Sequence, residues 1–341
     1  MIKVKILNPF LGRNEPTFRP LFQIKNMLRD YSIDITDSDD YDFLFVGMND
    51  FIDKKKSLEE SVEYGLENLS KVTGDYFLFD GSDSTSLMGA YEVFEQSNAL
   101  HLFKNQMFHT REEYKTPYAF NKYFFGSGSD LDLSYDISEE QWKKIKLTGW
   151  NFISLLNYTD KFHPISSNKE FDICAMFYSN HKYNEDHLVR NDEFYNNHRG
   201  LVLEKLNTMQ NKYKIASGKK PFNEYINILA NSKLLISPFG MGEIGQKDWE
   251  SIITGAIIIK PDMSKINTKP NIFLDNDTYL SVNYNWTDLE EKIDYALTNF
   301  TELNETINQN IRKKYVNEYS HNNLCLHWYN IFKDLEGIGE E

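Results

Sequence analysis

The stretch "KLLISPFGMGEIGQKDWESIITGAIIIKP", Lys233 to Pro261, constrains the fold more than any other part of the chain. It opens on the apolar run "KLLISPF" and closes on "AIIIK". In both runs hydrophobic residues follow one another without alternation, as in a strand buried on both faces of a parallel sheet. Between them lie a turn with three glycines, Gly240, Gly242 and Gly245, and a polar stretch that reads as a helix ending at Gly255. Strand, turn, helix and strand in that order form a βαβ unit, the connection that parallel strands require.

The same alternation runs through both halves of the chain. In the first half, strands are expected at Ile2–Leu7, "YDFLFVGM", "YFLFD" and "ALHLFK". Helices are expected at Pro20–Tyr31, Leu58–Lys71, Leu87–Gln96 and Ser138–Leu147, the last with Ser138 and Gln141 spaced as a capping box. Tyr114–Leu133 is aromatic, then rich in Gly and Ser, and shows no period. In the second half "FDICAMFY", "YKIAS", "KLLISPF" and "AIIIK" read as strands. His198–Asn211, Pro221–Asn231 and most of Leu289–Leu335 read as helices. The pattern predicts an α/β protein of two Rossmann-like lobes facing each other across a cleft, with a helical C-terminus. The expected units are 1–160, 161–310 and a C-terminal helix, 311–341, packing back on the N-terminal lobe. Ligands of such lobes bind at the carboxyl ends of the strands, here the loops after Leu7, Met48, Phe79, Phe177, Ile215 and Ile236.

Bulk composition narrows the function. The chain has 341 residues, 40% of them hydrophobic, enough for two cores. A formal net charge of −14, with no basic cluster denser than Lys54-Lys55-Lys56, argues against a nucleic-acid partner. No apolar run approaches the ~20 residues of a membrane span, and "MIKVKILNPF" reads as a strand and not a signal peptide. The expectation is a cytoplasmic protein without an integral membrane segment. Cys174 and Cys325 lie in apolar runs and are expected to be buried thiols. The eight histidines show no HxxxH or HExxH spacing, so no metal is expected. "DSDD" (Asp37–Asp40), placed before its strand, and "DLD" (Asp130–Asp132) read as solvated turns. The loop after the first strand lacks G-x-G-x-x-G, which disfavours a dehydrogenase.

The opening stretch has the parts of an anion site. Gly240 and Gly242 leave room for a ligand against the backbone. A helix start near Glu243 offers free N–H groups to a phosphate. Glu243 and Glu250 lie seven apart, which places them on one face of that helix. A carboxylate there can accept both hydroxyls of a ribose or sugar ring.

These residues, "SPFGMGE…KDWESIITGAIIIKPD", resemble the donor-site signature of glycosyltransferases with the GT-B fold, in the range of small bacterial and viral exostosin- and xylosyltransferase-like enzymes. The specific match covers Leu234–Ile272. The resemblance implies a nucleotide-sugar donor and a glycan acceptor. It assigns the diphosphate to the Gly-rich turn and helix start, the ribose to Glu250, and sugar or phosphate contacts to Glu243. The loop with Gly218, Lys219 and Phe222 matches the position that holds the nucleobase. Many retaining members carry two glutamates eight positions apart. Here the interval is seven, which favours inversion.

Inversion needs a general base for the acceptor hydroxyl, and in a GT-B enzyme it comes from the N-terminal lobe. Asp80 and Asp83, in "FDGSDS" at a strand's carboxyl end, are the two candidates. Asp83 also suits a helix cap. The leaving diphosphate calls for cationic side chains in place of a metal. Arg199 is the first candidate, followed by Lys247, Lys260 and Lys219. Ser179 and Ser237, in loops that follow strands of the second lobe, complete the expected donor contacts. The expected activity is metal-independent transfer from a UDP-sugar, UDP-xylose being one candidate. A retaining transferase or phosphorylase, or a non-catalytic bilobal sugar- or nucleotide-binding protein, is the alternative. The aromatic residues Tyr114, Tyr118, Phe120, Tyr123 and Phe124 are candidates either for stacking on sugars or for core.

Overall fold

The computed structural model describes residues 1–7, 19–48, 57–149, 161–177, 179 and 192–337. The expected junction near residue 160, Lys54-Lys55-Lys56, Tyr178, Asn180 and the loop directly after the first strand lie outside these residues.

The first lobe contains β1 (Ile2–Leu7), α1 (Arg19–Asp30), β2 (Ile33–Thr36), β3 (Phe43–Gly47), α2 (Leu58–Leu69), β4 (Phe77–Asp80) and α3 (Ala90–Gln96). β5 (Leu102–Lys104), β6 (Gln106–Phe108), β7 (Tyr118–Ala119), β8 (Asp132–Leu133), α4 (Glu139–Lys144) and β9 (Ile145–Leu147) follow. Six strands form a sheet in the order β2-β1-β3-β4-β5-β9, all pairs parallel. Its central strands carry the unbroken apolar runs, and all four residues of β4 are buried. Helix starts follow their sequence signals. Ser57 and Glu60 cap α2 reciprocally at 3.2 and 2.8 Å, and Ser138 and Gln141 cap α4 at 3.1 Å each way.

The second lobe contains β10 (Phe171–Ala175), α5 (Asp192–Thr208), β11 (Ile215–Ser217), α6 (Phe222–Ala230), β12 (Ser232–Ile236), α7 (Gln246–Thr254), β13 (Ile257–Pro261), β14 (Ile266–Thr268), β15 (Leu280–Val282) and α8 (Leu289–Thr298). Five strands form a parallel sheet in the order β11-β10-β12-β13-β15. The chain direction across the sheet reverses between β10 and β12, so the crevice at their carboxyl ends is the expected ligand position.

Three departures from the sequence reading have physical causes. Ser138–Leu147 is not one helix: α4 stops at Lys144, and Ile145 turns extended to pair β9 with β5 at the sheet edge. β2 is a four-residue edge strand, too short to show a period. Asp37–Asp40 therefore follow one strand as well as preceding another, and there Asp39 pairs with Lys5 at 2.5 Å and Asp40 with Lys3, all near the surface. The region from Tyr114 to Leu133 carries a small antiparallel pair, β7 with β8, and buries Tyr114, Phe120, Tyr123 and Phe124.

The lobes are joined by more than the chain. β6 of the first lobe pairs antiparallel with β14 of the second, Met107 opposite Asn267. Phe239, in the loop after β12, packs on Tyr123 and Phe124 with ring centroids 5.8 and 5.0 Å apart. α9 (Phe300–Glu318) closes the end of α7: Arg312 donates to the carbonyls of Ile252 and Ile253, both at 3.1 Å. α10 (His321–Glu336) returns to the first lobe and lies on α1. Its Trp328 packs on Phe45 and Phe79, both at 6.1 Å, and its Phe332 packs on Phe43 and Phe45. No helix among the described residues is long and apolar enough to cross a membrane.

Trp328 is only 2% exposed and fills the space between α10 and the first sheet. Trp328→Ala is expected to lower unfolding free energy by about 3–5 kcal/mol, measured by urea denaturation. An unchanged midpoint would show that α10 contributes nothing to the first lobe's core.

Candidate functional site

The crevice at the β10/β12 reversal is built from two loops and a helix. The loop after β10 carries Phe177 and Ser179, the loop after β11 carries Gly218, Lys219 and Lys220, and α6 adds Tyr225. Together with Met176 they enclose a pocket of about 450 Å³, within the roughly 300–1,000 Å³ of small-molecule sites. Behind it stands Glu250, whose Oε2 accepts the Tyr225 hydroxyl at 2.8 Å. Burial raises the Glu250 carboxyl pKa, while the Tyr225 hydrogen bond opposes that shift. Glu250 thus reaches the pocket wall through Tyr225, a residue the sequence did not single out.

Phe177 leads from the pocket to two cations. Its ring lies 5.7 Å from both the Arg199 guanidinium carbon and the Lys247 ammonium. Arg199 Nε donates to the Phe239 carbonyl at 2.9 Å, and its guanidinium also stacks on Tyr195 at 4.2 Å. Lys247 Nζ donates to the Pro238 carbonyl at 2.6 Å. Burial pushes the Lys247 ammonium well below the usual lysine range, and Arg199 adds to that push. An anion arriving between these two groups would relieve both effects.

The loop after β12 is held from below by Asp248. One carboxylate oxygen accepts Gly245 N at 2.9 Å and Lys260 Nζ at 2.9 Å, and the other accepts the Ser237 hydroxyl. Asp248, Lys260 and Ser237 are all fully buried. Ser237, expected among the donor contacts, instead anchors this support. The Gly-x-x-Asp spacing is a capping-box pattern and was the available signal for Asp248. Its pairing with Lys260 arises only when β13 comes to lie beside β12.

His198 on α5 supports the loop from the side. Its Nε2 accepts Phe239 N at 3.3 Å, and the imidazole stacks on the Phe239 ring at 5.9 Å. Only a neutral imidazole can accept that bond. Burial first, then Arg199, Lys247 and Lys260, push its pKa down to about 3.

Glu243 is placed differently from the expectation. α7 begins at Gln246, so Glu243 lies in the preceding loop and shares no helical face with Glu250. The chain bends through Met241–Glu243, where Gly240 N donates to the Gly242 carbonyl at 2.8 Å, and is extended at Gly245, from which Asp248 caps the helix. The carboxylate of Glu243 is fully buried against the first lobe. It accepts Thr85 N at 3.1 Å, Thr85 Oγ1 at 2.6 Å and Gln106 Nε2 at 2.5 Å. Gly242 likewise makes its close approach to protein: a Cβ there would lie 1.7 Å from the Asp83 carbonyl oxygen. Gly240 faces Arg199, whose Nη2 would lie 3.3 Å from an added Cβ.

Across the loop stand the two aspartates. Asp80, the last residue of β4, is 7% exposed. Its Oδ2 holds the buried Lys104 ammonium and its Oδ1 accepts Ser82 N at 2.9 Å. Asp83 keeps an accessible face while protein encloses the rest of it. That enclosure raises its carboxyl pKa, and Lys122 is the strongest opposing charge. Among the described residues no group of three or more His, Cys, Asp or Glu side chains is placed to hold a metal ion.

These contacts form one track. It runs from the Lys219–Tyr225 pocket over Phe177 to Arg199 and Lys247, then along Gly240–Gly242 to Asp83.

Because the native fold keeps His198 neutral and the unfolded chain does not, acid should destabilise the protein. The unfolded imidazole takes a proton near pH 6.5 and the folded one only near pH 3. Stability is then lost as pH falls between these values, by up to about 1.4 kcal/mol per pH unit. His198→Gln should remove this part of the slope in denaturation curves taken from pH 7 to pH 4. An equal slope in the variant would contradict the assignment.

No family model matches the chain, and no curated protein matches it in sequence. Solved structures do. Sucrose-phosphate synthase from Thermosynechococcus elongatus aligns over 99% of this chain and 100% of its own, with 9% identity and a TM-score of 0.51. A glycosyltransferase from Rickettsia africae aligns over 98% of each chain, with 13% identity and a TM-score of 0.47. Anabaena HepE in complex with UDP aligns over 98% of this chain and 100% of its own, with 12% identity and a TM-score of 0.45. The likeness to the first of these spans both sheets and the returning C-terminal helices, and the fold of this chain is accordingly the two-lobed GT-B arrangement.

Proposed function

We propose that this chain is a glycosyltransferase that moves a sugar from a UDP-sugar to a glycan hydroxyl with inversion, Asp83 acting as the base and no metal taking part. The track from the pocket to Asp83 is the observation that carries this reading. It has the order of a nucleotide sugar: a nucleoside in the pocket, with Lys219 and Ser179 beside it and Tyr225–Glu250 at the ribose, then a diphosphate beside Arg199 and Lys247, then a sugar between those cations and Asp83. The resemblance of the loop sequence to a GT-B donor signature supports a nucleotide-sugar donor.

Of the two aspartates, Asp83 suits the base. Both carboxylate oxygens of Asp80 are occupied by Lys104 and Ser82 N. Asp83 is accessible, and enclosure of its carboxyl raises its pKa, which makes the carboxylate a stronger base. The acceptor oxygen attacks the anomeric carbon from the side opposite the diphosphate and gives its proton to Asp83. The bond from the anomeric carbon to the phosphate oxygen breaks, and the electron pair leaves with the nucleoside diphosphate. Arg199 and Lys247 meet that charge, as fixed donors do in a water-poor site.

UDP, GDP and dTDP should be compared by thermal shift, UDP giving the largest rise in melting temperature. Asp83→Asn should reduce turnover by roughly 10²–10⁴-fold with the UDP shift retained. In the wild type, activity should fall as pH drops through the raised Asp83 pKa. The product should carry the inverted anomeric configuration by NMR, and EDTA should leave the rate unchanged. No stabilisation by any nucleotide would sink the proposal.

A further inference from the structure

Lys122 stands at the junction of the two lobes and was not singled out by its sequence. It follows Phe120 and Asn121, two consecutive non-glycine residues with φ of +53° and +54°. Such backbone persists only where its surroundings fix it. Here Asn121 Oδ1 accepts Leu87 N at 3.0 Å and the Phe120 carbonyl accepts the Ser86 hydroxyl at 2.8 Å. The turn aims the Lys122 side chain inward, where it is 7% exposed, and its ammonium donates to the Met241 carbonyl of the loop after β12. The next residue of that loop, Gly242, lies against Asp83: a Cβ on it would meet the carboxyl carbon at 2.6 Å. Lys122 and Asp83, both from the first lobe, thus rest on adjacent residues of one loop of the second.

We propose that Lys122 is the positioning residue that couples the Gly240–Gly245 loop to Asp83, holding its carboxylate ionised and in place while that loop is seated. This rests on the reading of Asp83 as the base. The charged groups around the pair all come from elements already described. Asp80 on β4 and Lys104 on β5 act on Asp83 with opposite signs, and Glu243 faces Lys122 from the loop itself. Asp80 and Lys104 are already paired with each other, and Glu243 is held by Thr85 and Gln106. That leaves Lys122 as the charge that answers Asp83, and its effect on the Asp83 carboxyl is the largest of any neighbouring charge.

The test is a carbon-13 NMR titration of the Asp83 carboxyl, which needs no turnover. Lys122→Met should raise the midpoint by about one pH unit, tenfold in the proton equilibrium, and Lys122→Arg should bring it back toward the wild-type value. In the wild type itself, the Lys122 Cε resonance should move through the same midpoint as Asp83. A midpoint unchanged in Lys122→Met overturns the proposal. A Lys122 resonance that stays flat through the Asp83 titration also overturns it, even if the methionine variant fails to fold. If the titrations behave as stated but no nucleotide sugar is consumed, the coupling stands and the proposed reaction fails. Where turnover is measured, the acid limb of the kcat profile should move to higher pH in Lys122→Met and return in Lys122→Arg.

Discussion

The buried carboxylate of Glu243 is the contact on which the arrangement of the two lobes depends. A charged group with no exposed surface is tolerated only when its oxygens are occupied. The backbone and hydroxyl of Thr85 and the amide of Gln106 occupy them, and both residues belong to the opposite lobe. Moving the loop after β12 away from the first lobe would break these hydrogen bonds together. With Glu243 fixed, Gly242 is pressed onto Asp83 and Met241 onto Lys122, so the position of the loop and the setting of Asp83 are decided together.

The second lobe treats its charges in two ways. Asp248 and Lys260 neutralise each other in the core and serve as a support, tying the start of α7 to β13 and to Ser237. Arg199 and Lys247 contact carbonyls and aromatic rings, which orient them. The two arrangements occupy different places: the Asp248–Lys260 pair lies beneath the loop, and Arg199 and Lys247 gather around Phe177, beside the pocket.

Much of the fold was legible because it rests on local rules. Unbroken apolar runs marked the inner strands, Ser138 and Gly255 marked helix ends, and the restart of alternation at Phe171 marked a second sheet. What escaped was short or non-local. β2 and β9 are edge strands of four and three residues, and the β6–β14 pairing joins segments about 160 positions apart in the chain. Within the site, the loop was found from its glycines and its helix, but the partners of its residues were not. The sequence shows that Gly242 needs room; only the fold shows that the Asp83 backbone takes that room. The seven-residue spacing of Glu243 and Glu250 suits one helix, whereas Asp248 caps α7 at Gly245 and the helix begins at Gln246, three residues past Glu243. Lys104, Lys122 and Tyr225 carry no motif, and their importance comes from partners distant in the chain, Asp80, Met241 and Glu250.

The antiparallel pairing of β6 with β14 has a consequence for how such a molecule can change over evolutionary time. It is a contact of main chain with main chain, so its geometry is indifferent to most side-chain replacements. The residues lining the cleft can drift, and recognition can be rewritten from one ligand to another, while the two halves keep their mutual alignment. A scaffold hinged on backbone can explore new surfaces without first solving again the problem of bringing its halves together.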